Sequence, residues 1–308
     1  MAVRLFWQIL SFFIMMSMGF ALVKTRHLKS EDSKVLSVLM FYVIIPCTII
    51  RSYQIDLTDE VKAGFGLAVL AAFIIHFALI VIVAVLKRIF SLDGVEVASI
   101  AYSNAGNLVI PLLTALMGDE YVIYASAYIC VQLFFIWTHG RIVISGQKRI
   151  GLKEVLLNWD LLAAFLGAFL MFAHIRLPGP VQDALAGISS TIGPVSLLMI
   201  GMLLAAVDPR TLLRDKKLYL TAFLKMLPVP LLVMAVLKIL RLSALIPDGK
   251  TILYISFLAV MTPTAAMVTQ ISQLFDNRPE YASAINTLTT LMCIVTMPLL
   301  TAIYMRWM

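Results

Sequence analysis

Charge is what this sequence has least of. Only 13% of its 308 residues are Asp, Glu, Lys or Arg, about half the share of an average soluble domain. That excludes a water-soluble body. With 61% hydrophobic residues and a mean hydropathy of +0.97, the chain reads as an integral membrane protein. Cysteine is scarce too: Cys47, Cys130 and Cys293 each lie inside an apolar run, which excludes a disulfide framework and a thiolate metal site. There is no HExxH, no nucleophile elbow and no aspartate pair within an apolar run. An intramembrane enzyme is therefore not expected, and no cofactor or metal is implied. The net charge of +7 comes from Lys and Arg in short clusters between apolar runs, so the cations report orientation in a lipid bilayer and not a nucleic-acid surface. The first apolar run has one early cation, Arg4, and no small-residue cleavage site, so it reads as a span and not a secretory leader.

At about 20 apolar residues per span, ten segments fit: 5 to 23, 34 to 53, 63 to 87, 95 to 118, 121 to 145, 157 to 175, 183 to 207, 217 to 240, 251 to 274 and 281 to 305. The expected fold class is all-α integral membrane, with short loops and no soluble domain. With the N-terminus outside, the inner loops and span ends hold 15 cations: Lys24, Arg26, Lys29, Lys34, Lys87, Arg88, Arg141, Lys148, Arg149, Lys153, Arg210, Arg214, Lys216, Lys217 and Arg278. The outer set holds 8, and Lys225 completes the 24. Both termini are expected on the extracytoplasmic side.

The two halves repeat. Leu28 and Leu177 follow the first helix of each half, Pro46 and Pro194 fall in the second, and Lys87 and Lys238 end the third. Pro111 and Pro263 mark the fourth, and all four offsets lie between 148 and 152. Five spans is an odd number, so the second copy is expected upside down relative to the first. The halves are residues 1–150 and 151–308.

Two stretches set the chemistry. Ala101 to Gly118, AYSNAGNLVIPLLTALMG, places Asn104, Gly106, Asn107 and Pro111 in an otherwise apolar span, and Phe257 to Phe275, FLAVMTPTAAMVTQISQLF, is its counterpart around Pro263. Proline removes a backbone donor and clashes with the preceding turn, so both helices are expected to break there. Broken backbone at membrane depth is tolerated where it is buried in protein or lines a wet cavity. The alternative is a simple proline kink relieved by neighbouring helices. On the first reading Pro111 and Pro263 each start a half-helix, with Thr262 as N-cap of the second and Asn107 of the first. Two half-helix N-termini then converge on one small cavity, which favours an anion. Ser103, Asn104, Asn107, Thr262 and Thr264 supply neutral hydrogen bonds there, or tie up loose backbone.

The nearest acidic residues, Glu96, Asp119 and Asp160, sit at span ends, so no buried carboxylate is expected as a cation ligand or proton carrier. Lys225, inside the eighth span, either attracts the anion or snorkels to the headgroups. His76, close to its repeat-equivalent position in the third span, is a proton relay or a bundle-bonded histidine. His139, with Gln132 two turns earlier, has the same two readings.

NAGNLVIPLLTALMG resembles the fourth-helix signature of the auxin efflux carrier family, matching at Asn104 and Pro111. TPTAAMVTQISQLFDNRPEYASAINTLTTLMCIVTMPLL is similar to that family's ninth and tenth helices, with Pro263 at the crossover and Pro298 near the end, and GPVSLLMIGMLLAAV looks like its seventh. The resemblance spans essentially the whole chain. It implies ten transmembrane helices as two inverted five-helix repeats with broken crossover helices 4 and 9. It also implies a scaffold of spans 1, 2, 6 and 7, a moving transport domain of spans 3–5 and 8–10, and substrate binding beside the crossovers. A homodimer through the scaffold is a further implication. Two departures stand out. Asn107 replaces the aromatic residue that many members carry, which alters pocket and substrate. Gln147 to Glu154 is a short basic linker where plant members have a long loop, which removes regulation through it and points away from auxin as the substrate. The short form looks like a bacterial inner-membrane permease.

The expected function is secondary transport of a small mono- or dicarboxylate by elevator-like alternating access. The alternatives are a sodium-coupled organic-anion symporter of the bile-acid carrier type, and a membrane sensor that binds without transporting.

Overall fold

The computed structural model describes residues 2–147, 157–206 and 215–308. Lys148, Arg149, Lys153, Arg210 and Arg214 of the inner cation set, and residues 148–154 of the basic linker, lie outside the described residues. Among the described residues twelve helices follow in order: α1 (Ala2–Lys24), α2 (Ser30–Ser52), α3 (Asp59–Phe90), α4 (Gly94–Ala101), α5 (Ala105–Leu116), α6 (Asp119–Ser145), α7 (Trp159–Phe172), α8 (Gly179–Ala205), α9 (Lys216–Ile239), α10 (Gly249–Met261), α11 (Ala266–Leu274) and α12 (Pro279–Trp307). Among the described residues, seven stretches are long and apolar enough to cross a membrane: Trp7–Lys24 of α1, and α2, α3, α6, α8, α9 and α12. The apolar helices α5, α7 and α10 are shorter.

Packing in lipid rewards close backbone approach more than apolar burial, because lipid tails are as apolar as leucine. α1 and α8 show it. A methyl group at Gly19 would lie 2.1 Å from the Leu198 carbonyl oxygen, and one at Gly201 would lie 1.9 Å from that of Met16. Each glycine thus admits the other helix's backbone. α2 lies against α7, α3 against α6 and α10, and α9 against α4 and α12.

Helix starts follow local chemistry. Thr58 caps α3 by accepting from the Val61 N–H at 3.3 Å, and Asp93 and Glu96 form a reciprocal capping box at 2.9 and 2.8 Å that starts α4. Tyr281 of α12 donates to Glu96 at 2.8 Å and Arg278 pairs with Asp93, so the head of α4 is tied to α12. Glu96 is fully buried and structural.

The proline expectation needs correcting at both places. Pro111 does not begin a half-helix: α5 runs through it from Ala105. The turn Ala105–Val109 is widened to π-helical geometry just before it, as Met40–Ile44 is widened before Pro46. A wide turn relieves the clash with the preceding carbonyl without ending the helix. The first break lies earlier, at Tyr102–Asn104, where Tyr102 is extended (φ −109°, ψ 134°). Pro263 sits inside the second break, between Thr262 (φ −70°, ψ 158°) and Ala265 (φ −62°, ψ 133°), and α11 starts at Ala266. Thr262 ends α10 and does not cap α11.

Candidate functional site at the paired breaks

The two breaks lie antiparallel and bond to each other. Ser103 faces Thr264, with the Asn104 N–H donating to the Pro263 carbonyl at 2.8 Å and the Ala265 N–H to the Tyr102 carbonyl at 3.0 Å. Ser103's own backbone turns the other way, to Gln132. Its N–H donates to Gln132 Oε1 at 3.0 Å, and its carbonyl accepts from Nε2 at 2.8 Å. The side-chain amide thus does the work of a third strand.

Hydroxyl groups close the carbonyl ends of the preceding helices. Thr264 donates to the Ser99 carbonyl at 2.9 Å, Thr262 to Ala259 at 2.8 Å and Ser103 to Val260 at 3.3 Å. The Thr264 N–H reaches Thr289 Oγ1 of α12 at 3.2 Å. The opposite ends stay open. The N–H groups of Gly106 and Asn107 in α5, and of Ala266 and Met267 in α11, carry no hydrogen bond among the described residues. With the carbonyl ends capped and the amide ends free, the local field favours negative charge.

Asn104 and Asn107 stand at that opening. Asn104, 6% exposed, precedes α5 without capping it and its side-chain amide makes no hydrogen bond among the described residues. Asn107 sits within the first turn of α5, with its buried Oδ1 unpartnered, and so is not an N-cap. Pro111 lies outside this cluster and packs near Gly193 of α8.

Lys225 does not snorkel. It is 1% exposed, and its Nζ donates to Ser103 Oγ at 2.6 Å. No carboxylate pairs with it among the described residues. The reason is placement: α9 breaks just after it, at Leu227 and Pro228, and this half of α9 is wedged against α4 and α12.

The histidines flank the crossing. His76 Nδ1 lies 2.7 Å from the Ala72 carbonyl, and its ring stacks on Phe135 at 5.3 Å and tilts on Tyr128 at 4.9 Å. Its buried Nε2 is unpartnered. His139 Nδ1 lies 2.8 Å from the hydroxyl of Tyr102, which donates to the Phe135 carbonyl at 2.9 Å. His139 and Gln132 both buttress the first break from α6.

Sequence reasoning missed Tyr102 and Thr289, whose partners are non-local, and it misjudged Asp160. That residue is only 4% exposed and its Oδ1 has no partner. It lines a cavity of about 440 Å³ with Phe41 and Tyr42 of α2, Trp137 of α6, Trp159 of α7, and Met267 and Gln270 of α11. A second cavity of about 340 Å³ lies toward the C-terminal end of α2, beside the Arg51–Asp119 ion pair (2.9 Å).

Apolar helices on this scale, holding a polar crossing with open amide ends, define the class: a membrane transport protein. The chain belongs to the family whose model carries that description and matches it twice, over residues 5–154 and again over 147–301. This is the auxin efflux carrier family. No curated protein matches the chain.

Proposed function

We propose that the protein is a secondary transporter that carries a small organic carboxylate across the cell membrane by alternating access. The observation that carries the anionic substrate is the Lys225 ammonium, buried without a carboxylate partner among the described residues and bonded to Ser103 in the first break. A buried uncompensated cation costs free energy, and a carboxylate docked at the opening offsets that cost. Asn104 orients the carboxylate and Asn107 shapes the pocket.

In this reading α4 with α5, and α10 with α11, each make one pass, which with α7 raises seven spans to ten. The passes form two inverted five-span repeats. α1, α2, α7 and α8 are the scaffold, against which α3–α6 and α9–α12 move as one elevator-like body. A homodimer forms through the scaffold, in a bacterial inner membrane with both termini extracytoplasmic.

Purified protein in proteoliposomes is expected to take up a carboxylate saturably, whether or not sodium is present. Asn104→Ala is expected to stay folded and lose transport; full activity in that variant would sink the site. Strict sodium dependence would favour the bile-acid carrier type, and saturable binding without flux a sensor.

A further inference from the structure

The cavity of about 440 Å³ joins the proposed scaffold to the proposed moving body, with α2 and α7 contributing from one side and α6 and α11 from the other. Met267, the second residue of α11, lines it and carries one of the open N–H groups. Two of the side chains that line it each carry a buried polar atom, and the two are of opposite character. Asp160 Oδ1 is an acceptor without a donor, and Trp137 Nε1 is a donor without an acceptor. No Lys, Arg or His pairs with Asp160 among the described residues. Phe41, Tyr42, Trp137 and Trp159 supply aromatic surface around them.

A simple carboxylate meets only half of this site. It satisfies the Trp137 N–H and the end of α11, but it brings a second negative charge toward Asp160. A ligand with both a carboxylate and an ammonium meets all of it. The carboxylate takes the donors, the ammonium takes Asp160, and the aromatic faces accept the cation and the rest of the molecule. Resting on the carboxylate reading above, we propose that the substrate is a zwitterion of amino-acid type, with Asp160 reading its ammonium group. Asn158 supports this by holding the start of α7: its Oδ1 accepts from the N–H groups of Asp160 and Leu161 at 3.0 and 3.2 Å, which fixes the Asp160 backbone.

The test is thermal stabilisation of the detergent-purified full chain by matched ligands. L-alanine, L-leucine and L-glutamate are each compared with their deaminated counterparts propionate, 4-methylpentanoate and glutarate, and with ethylamine and 3-methylbutylamine. At least one amino acid is expected to bind about tenfold or more tightly than its deaminated counterpart and its amine, as one charge-assisted hydrogen bond implies. Asp160→Asn is expected to erase the preference over the deaminated acid, and Trp137→Phe to weaken the amino acid without restoring the amine. If Asp160→Asn fails to fold, Trp137→Phe and the wild-type panel still decide. A deaminated acid binding as tightly as its amino acid would overturn the zwitterion and leave the carboxylate transporter standing. An amine binding alone, or no ligand of the panel binding, would overturn both.

Discussion

Gln132 shows how one side chain stabilises a break in an apolar surrounding. Its amide holds both backbone groups of Ser103, and an unpartnered buried polar group costs about 1–3 kcal/mol. Gln132→Leu is therefore expected to lower stability by about 2 kcal/mol or more, read as a drop in thermal midpoint in detergent. Lys225→Met should do the reverse. It replaces an unpaired buried ammonium with an apolar side chain of similar length, so the fold should hold or gain stability while carboxylate binding weakens about tenfold or more. An unchanged affinity would remove Lys225 from the anion's recognition. The presence of Lys225, Asn104 and Asn107 in apolar spans was legible in the sequence, because polar residues there stand out against their neighbours. Their geometry was not. Whether a long lysine reaches headgroups or a neighbouring hydroxyl depends on which side of α9 faces α4 and α12, and composition does not encode that. Asp160 was hidden for a related reason: a carboxylate at a helix start looks solvent-facing until α2, α6 and α11 close around it.

At the scale of helices, proline was a misleading landmark. The offset between Pro111 and Pro263 correctly pointed to two special stretches, yet only Pro263 sits in a break. Pro111 is absorbed by the wide turn before it, so Pro111→Ala should leave the fold intact and retain most transport, whereas a full loss would return the break to that position. The α1–α8 contact is less forgiving. Gly201→Leu places a branched side chain where even one methyl group meets the Met16 carbonyl. Small backbone shifts cannot absorb that, so separation of the two helices and a loss of several kcal/mol (about 3 or more) are expected, visible as loss of monodisperse protein on size exclusion. Single-sequence reading lists such glycines among many others, and only the facing helix shows which of them matter.

Across the whole molecule, the all-helical class was readable from hydropathy, but of the ten spans expected only seven match helices long and apolar enough to cross a membrane among the described residues, the other three falling on shorter helices. The doubling of the chain was readable as well, since landmarks recur at nearly one offset and the family model matches two successive stretches. What was not readable is that the breaks bond to each other. The Ser103–Thr264 pairing bears on how the chain is made. During synthesis the first half enters the bilayer with Gln132 ready to satisfy Ser103, but the Asn104 N–H and Tyr102 carbonyl find their partners only in Pro263 and Ala265. Until the second half arrives, those groups must be sheltered by water, lipid headgroups or the insertion machinery. The first half alone is therefore expected to behave as an assembly intermediate and not as an independent protein. Expressed alone, it should be degraded, and co-expression of the second half as a separate chain should rescue it.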